Sequence, residues 1–185
     1  MDTLSLCTAE SFEQVMQSYM PMVYRIAFAR LADRNDAEDV TQDVFLRYFR
    51  AGITYNNEEH RKAWLIRCAV NCALNAAGSA WNRHKADGAE LEKMLLPENE
   101  QAQPGCEEQF ERTERRLSVM KAVMKLPDKY RTVIHLFYFE DMSVAQISQA
   151  LGAGESTVKS QLSRARKLLK PLLAEFADIS GEVVF

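Results

Sequence analysis

Apolar residues recur along this chain at intervals of three and four, the period of an amphipathic helix, with polar residues between them. Phe12, Val15, Met16, Tyr19, Val23, Ile26 and Ala27 carry the pattern as far as a turn at Leu31-Ala32-Asp33-Arg34-Asn35, with Pro21 as a point of kinking or breakage. Asp36 then opens a second helix, DAEDVTQDVFLRYFRA. Its inward stripe is Val40, Val44, Phe45, Tyr48 and Phe49, and its polar side carries Glu38, Asp39, Gln42 and Asp43. After Gly52 the segment ITYNNEEH reads as a loop. A third helix runs from about residue 58 to residue 83, with Trp64, Leu65, Cys68, Val70, Cys72 and Leu74 as apolar members. No alternating run of β-branched residues bounded by turns occurs before the Val183-Val184-Phe185 tail, so the predicted fold is all-α.

The clearest local pattern lies at residues 143–170, SVAQISQALGAGESTVKSQLSRARKLLK. Val144, Ile147 and Leu151 share one face of a short helix, while Gln146, Ser148 and Gln149 stay polar. Gly152 and Gly154 interrupt it, since glycine accepts the positive φ that turns a chain sharply after a helix C-terminus. Glu155 or Ser156 restarts helix, with an oxygen able to accept the free N–H groups of the first turn. Val158, Leu162, Ala165 and Leu169 continue the apolar face. Ser156, Thr157, Lys159, Ser160, Arg164, Arg166 and Lys167 lie outside it.

Between Glu155 and Lys170 five basic residues face one acidic residue, a local balance of +4 in a chain of net charge −3. Small polar side chains at the start of a helix reach base edges in the major groove, and cations further along hold phosphates. A solvated amphipathic hairpin would account for the basic face alone. The paired helices, the glycine turn and the polar-to-basic gradient together favour a helix-turn-helix that reads DNA.

Charge also divides the chain. From residue 86 to residue 114 there are nine acidic residues against Lys93 and Arg112, and Pro97 and Pro104-Gly105 interrupt any helix. This predicts two small helical domains, 1–85 and 107–185, joined by an acidic linker over 86–106. In the first domain, Asp36, Glu38, Asp39 and Asp43 cluster at and near a helix N-terminus, where negative charge is favoured. From His60 to Lys85 there is no acidic residue, while Arg61, Lys62, Arg67, Arg83 and Lys85 occur with Trp64 and Trp81. Cations with aromatic rings on one element suit a melted strand, with phosphates on the cations and bases on the rings. Trp64 also fits the core. Asn71 and Asn75, amides amid apolar helix, either face outward or answer a specific partner.

The remaining chemistry is exclusion. With 47% hydrophobic residues the 185-residue chain can build real cores. No apolar run reaches membrane-spanning length, and the N-terminus has neither a basic lead nor an apolar signal core, so the expected location is cytoplasmic, without membrane insertion. The four cysteines, Cys7, Cys68, Cys72 and Cys106, form no disulfide framework. Cys68 and Cys72 share a helix face without a histidine beside them and read as buried free thiols rather than a metal site. There is no nucleophile motif, metal constellation or glycine-rich phosphate loop. The expectation is a protein without catalytic residues, metal or cofactor.

Two blocks resemble a bacterial extracytoplasmic-function (ECF) sigma factor, the short class of RNA polymerase specificity subunit. DAEDVTQDVFLRYFR followed by KAWLIRCAVNCALNAAGSAWNRHK is similar to the family's second conserved region. LPDKYRTVIHLFYFEDMSVAQISQALGAGESTVKSQLSRARKLLK is similar to its fourth. The resemblance implies a subunit that binds core polymerase and directs promoter-specific initiation. The helix from Asp36 would dock on the clamp coiled coil of the β′ subunit through Asp36, Asp39, Gln42, Asp43 and Phe45. Arg61, Lys62, Arg67, Asn71, Asn75, Trp81, Arg83 and Lys85 would melt and read the minus-ten element. Ser156, Thr157, Lys159, Ser160, Arg164, Arg166 and Lys167 would read the minus-thirty-five element, their domain also touching the β flap. An anti-sigma factor is the further partner implied, and the free protein would be a monomer.

Two departures from the family stand out: Ala76-Ala77-Gly78-Ser79-Ala80 where relatives often carry an arginine run, and Gln161 where an arginine is common. The competing reading is a stand-alone dimeric helix-turn-helix regulator, which would footprint an operator without polymerase.

Overall fold

The computed structural model describes residues 12–52, 57–79 and 118–180, with side chains through 78 and 174 in the last two stretches. All regular structure among the described residues is helical. The chain divides into two compact units, Met1–Arg83 and His84–Phe185.

The first unit holds α1 (Phe12–Leu31), α2 (Arg34–Ala51) and α3 (Glu58–Ser79), each packed on the other two. α1 runs through Pro21 without a break. The proline ring lies on the exposed side of the helix, and the buried residues Met22, Val23 and Ile26 follow it directly. The chain leaves α1 at Ala32, whose φ of 52° is the left-handed turn that separates α1 from α2.

α2 begins two residues earlier than the sequence predicts. Asp33 is extended, and its carboxylate accepts the Asp36 N–H at 2.9 Å, capping an orphan donor of the first turn. Gly52 closes the helix at φ 54°. α3 is started by Asn57, whose side-chain oxygen accepts the His60 N–H at 2.8 Å. Val15, Val23, Ile26, Val44, Leu65 and Val70 are fully buried at the centre of this unit. The Phe12 ring lies against Phe45, Tyr48 and Phe49 of α2, with centroids 6.5, 6.4 and 5.2 Å away.

In the second unit a helical segment at 118–124, here α4, precedes α5 (Asp128–Tyr138), α6 (Val144–Leu151) and α7 (Glu155–Ser180). Ile134, Leu136, Ile147 and Val158 are fully buried where α5, α6 and α7 meet. Arg131 is buried too, and its guanidinium donates to the carbonyls of Met124 and Leu126 at 3.1 and 3.4 Å. It closes carbonyls at the end of α4 that otherwise have no intrahelical partner.

α6 carries a reciprocal cap. The Ser143 hydroxyl accepts the Gln146 N–H at 3.3 Å, and the Gln146 side chain accepts the Ser143 N–H at 2.8 Å. Gly152 ends α6 at φ 61°, its N–H donating to the Ser148 carbonyl. The Ser148 hydroxyl in turn donates to the Ala153 carbonyl at 2.5 Å. α7 restarts at Glu155, and the Val158 N–H reaches back to the Gly154 carbonyl at 3.1 Å. The expected helix-turn-helix is therefore present, held by a cap on one side and a left-handed glycine on the other.

Candidate functional site

In α7 the buried residues are Val158, Leu162 and Ala165, with Leu173 a further two turns along. At 3.6 residues per turn, Ser156, Ser160, Arg164 and Lys167 fall on the opposite side, with Thr157 beside them, and all five are exposed. This stripe is polar at its N-terminal end and cationic one to two turns further on. The Ser160 hydroxyl donates to the Thr157 carbonyl at 2.8 Å, an ordinary helical fold-back for a serine in water.

The two remaining predicted cations lie on the flank. Lys159 pairs with Glu155 at 3.6 Å, both well exposed, so the contact holds the ammonium only loosely. Arg166 is turned back onto its own unit. Its Nε donates to the Tyr138 hydroxyl at 2.9 Å, and its guanidinium lies 5.6 and 5.7 Å from the Phe137 and Tyr138 ring centroids. Arg166 thus braces α5 against α7 while remaining exposed to solvent.

On α3, Arg67, Asn71 and Asn75 are spaced by four, and all three are exposed. The outward alternative for the two asparagines therefore holds, and together with Arg67 they form one solvent-facing row. Lys62 is half-buried. Arg61 is largely withdrawn: its side chain is 16% exposed and pairs with Glu58 at 2.9 Å, while the Tyr19 hydroxyl donates to the same Glu58 carboxylate. That cluster ties α1 to the start of α3 and gives Arg61 a structural part in the fold. Trp64 is half-buried and meets Tyr48 edge-on at 5.9 Å. Trp81, Arg83 and Lys85, the loop at 53–56 and the acidic linker lie outside the described residues.

On α2 the acidic cluster is partly neutralised by its own helix. Arg34 pairs with Glu38 at 2.7 Å and Arg47 with Asp43 at 2.9 Å, both near the surface and worth little individually. Asp39 and Gln42 are exposed, and Asp36 and Asp43 half-buried. Phe45 is 3% exposed and belongs to the core, so it presents no surface to a partner. Phe49 was expected inward and is 66% exposed, and Leu46 is 50% exposed. Asp39, Gln42, Leu46 and Phe49 follow one another at spacings of three and four, placing two large, at least half-exposed apolar side chains below a carboxylate on a single face. Beside this face an open cleft of about 420 Å³ is lined by Asp36, Asp39, Asp43 and Arg47 of α2 and Cys72 and Asn75 of α3.

Among the described residues no group of three or more histidine, cysteine, aspartate and glutamate side chains is arranged to hold a metal ion, and no helix is long and apolar enough to cross a membrane.

Comparison with known proteins matches both blocks. Residues 15–83 match the family described as Sigma-70 region 2, and residues 116–169 match Sigma-70, region 4. The chain is similar to the ECF RNA polymerase sigma factor SigW of Bacillus subtilis (strain 168), 25% identical over 169 residues that span 90% of each chain. It is also similar to the ECF RNA polymerase sigma factor SigM of Mycobacterium tuberculosis (strain H37Rv), 28% identical over 163 residues, covering 88% of this chain and 77% of that one. Among solved structures, the sigma factor RpoE of Bartonella quintana, crystallised with the anti-sigma factor NepR, matches in fold. Its TM-score is 0.58 and its identity 22%, covering 88% of this chain and 96% of that one. Both conserved regions are present, in the order that the sequence predicts, and the chain belongs to the extracytoplasmic-function class of the sigma-70 family.

Proposed function

We propose that this sigma factor divides its work among three exposed faces: α2 for core RNA polymerase, α3 for the minus-ten element and α7 for the minus-thirty-five element. As a sigma factor it binds the core enzyme and directs initiation at specific promoters, and it is not itself the catalyst. The observation that carries the residue-level reading is the face of Asp39, Gln42, Leu46 and Phe49 on α2. Two large apolar side chains beside a carboxylate, each at least half exposed on a small domain, fit the anatomy of a protein interface. We assign that face to the β′ clamp coiled coil, with Asp36 and Asp43 at its edge and Phe45 beneath it as support.

On α3 the row Arg67, Asn71 and Asn75 offers one cation and two amides to a strand. Lys62, Trp81, Arg83 and Lys85 extend the reading on sequence grounds alone. On α7, Ser156, Thr157 and Ser160 would approach base edges while Arg164 and Lys167 hold phosphates, with Lys159 available once Glu155 releases it. The domain division at 1–85, 86–106 and 107–185 follows the same logic: two DNA-reading units tethered by an acidic segment gain effective concentration when polymerase fixes their spacing. The location consistent with this work is the cytoplasm. An anti-sigma factor would compete by covering these faces, and the free protein would be monomeric. A stand-alone regulator leaves the region-2 match unused.

Asp39→Arg combined with Leu46→Ala tests the α2 assignment. Both side chains are exposed, so helicity by circular dichroism should be retained. Binding to core polymerase in a pull-down should fall at least tenfold, since a charge reversed in an interface costs on the order of several kcal/mol. Unchanged affinity would remove α2 from the interface.

A further inference from the structure

Cys68 and Cys72 stand four residues apart on α3 and share its inner flank: Cys68 is half-buried and Cys72 buried, and both thiols are free. Asp43 of α2 faces them. The Cys72 S–H donates to Asp43 Oδ2 at 3.6 Å, and Asp43 is held by Arg47 at 2.9 Å. The cleft described above opens onto Cys72. The arrangement thus has a half-buried cysteine, a second sulfur one helical turn away, a carboxylate that accepts a hydrogen bond from that second sulfur, and a guanidinium nearby.

We propose that Cys68 and Cys72 are a peroxide-reactive dithiol, with Cys68 as the attacking sulfur and Cys72 as the resolving one. The first step takes a small hydroperoxide as oxidant. The Cys68 thiolate attacks one peroxide oxygen, the S–O bond forms and the O–O bond breaks. Hydroxide leaves, takes up a proton and departs as water. Cys68 is then a sulfenic acid. In the second step the Cys72 sulfur attacks the Cys68 sulfur, with Asp43 orienting the Cys72 S–H. The S–S bond forms, the S–OH bond breaks, and the departing hydroxide takes the Cys72 proton and leaves as a second water. Two thiols and one hydrogen peroxide yield one disulfide and two waters.

The local electrostatics sort the two roles. When the rotatable Cys72 S–H turns from Asp43 to Cys68, that hydrogen bond, and after it the Arg47 guanidinium, hold the Cys68 pKa below the ordinary thiol value against burial and the Asp43 charge. Cys72, as the donor in that contact and as the more buried sulfur, is pushed the other way. A thiolate is the form that attacks peroxide, so Cys68 reacts first. Closing the disulfide deforms α3. The Cα atoms four apart on a helix are about 6 Å apart, inside the range that a disulfide accepts. The Cβ atoms are about 5–6 Å apart, however, and a disulfide needs about 4 Å, so the turn between the two cysteines must open. The proposal stands whether or not α3 reads DNA.

The test treats the folded full-length protein with hydrogen peroxide, blocks remaining thiols, and digests with trypsin. Cleavage after Arg67 and Arg83 puts both sulfurs in one peptide, apart from Cys7 and Cys106. That peptide should appear about 2 Da lighter than its reduced form and return to it with dithiothreitol. Cys72→Ala should stop at the sulfenic acid, trapped at Cys68 by dimedone, and Cys68→Ala should leave the peptide unoxidised. Arg47→Ala should slow the wild-type reaction at neutral pH roughly threefold by reducing the thiolate fraction. A peptide that stays reduced while folded would overturn the proposal. So would oxidation that is as fast in urea as in the native protein.

Discussion

Arg164 and Arg166 sit two positions apart on α7 and face different neighbours. Arg164 is exposed on the stripe opposite the buried residues, whereas Arg166 is hydrogen-bonded to Tyr138 and lies over two rings of α5. Replacing Arg164 by alanine should weaken promoter binding by the holoenzyme across sequences and reduce the salt slope of log K by about 1, the signature of one lost phosphate contact. Replacing Arg166 should instead act on the fold. Stability of the second unit should drop by roughly 1 kcal/mol in urea titration with the salt slope little changed. An equal loss of salt slope in both variants would return Arg166 to the DNA. The sequence shows five cations along this helix and has no means of separating them, because Tyr138 lies 28 residues away and its contact exists only after α5 and α7 pack. Phe45 and Phe49 teach the same lesson on α2. Both belong to the inward stripe that the spacing predicts, four residues differ by only about 40° around a helix, and the edge of the buried arc falls between them.

At the scale of helices the sequence was far more legible. The three-and-four spacing of Val158, Leu162 and Ala165 and of Val40 and Val44 finds the centre of both buried stripes, because burying an apolar arc is the main reason these helices stay formed, while Phe49 at the end of the α2 stripe turns out exposed. Boundaries were less legible. Asp33 read as part of a turn, yet its carboxylate starts α2, a choice that depends on where the chain leaves α1 at Ala32. The two glycines of the helix-turn-helix read alike and differ in kind. Gly152 has φ 61° and open space where a Cβ would sit, while Gly154 has an ordinary φ and would place a Cβ 3.8 Å from the Ser156 hydroxyl. Gly152→Ala should therefore cost roughly 1–2 kcal/mol, entirely from backbone strain. Gly154→Ala should be neutral or stabilise by up to about 1 kcal/mol through a less flexible unfolded chain. Chemical denaturation of the two variants decides it, and equal losses would contradict the assigned turn.

The whole molecule consists of two units, each with its own core, the first around Ile26, Val44 and Leu65 and the second around Ile134, Leu136 and Ile147. Units of this size bury a modest fraction of their surface and are marginally stable, so a bound partner is a large term in their folding equilibrium. A ligand at a hundred times its Kd adds about 2.7 kcal/mol to whatever folded unit it holds, which in a small domain raises Tm on the order of 10 °C. Scanning calorimetry of the free protein should resolve two transitions. A saturating duplex bearing the upstream element should move only the transition of the second unit, and a fragment of the polymerase clamp only that of the first. A single transition, or one that shifts as a whole, would mean that the units melt together. Separate cores thus turn recognition into heat: the temperature at which each half of the chain melts reports which partner is present, and an inhibitor that seizes both halves would be recognised by the disappearance of the gap between them.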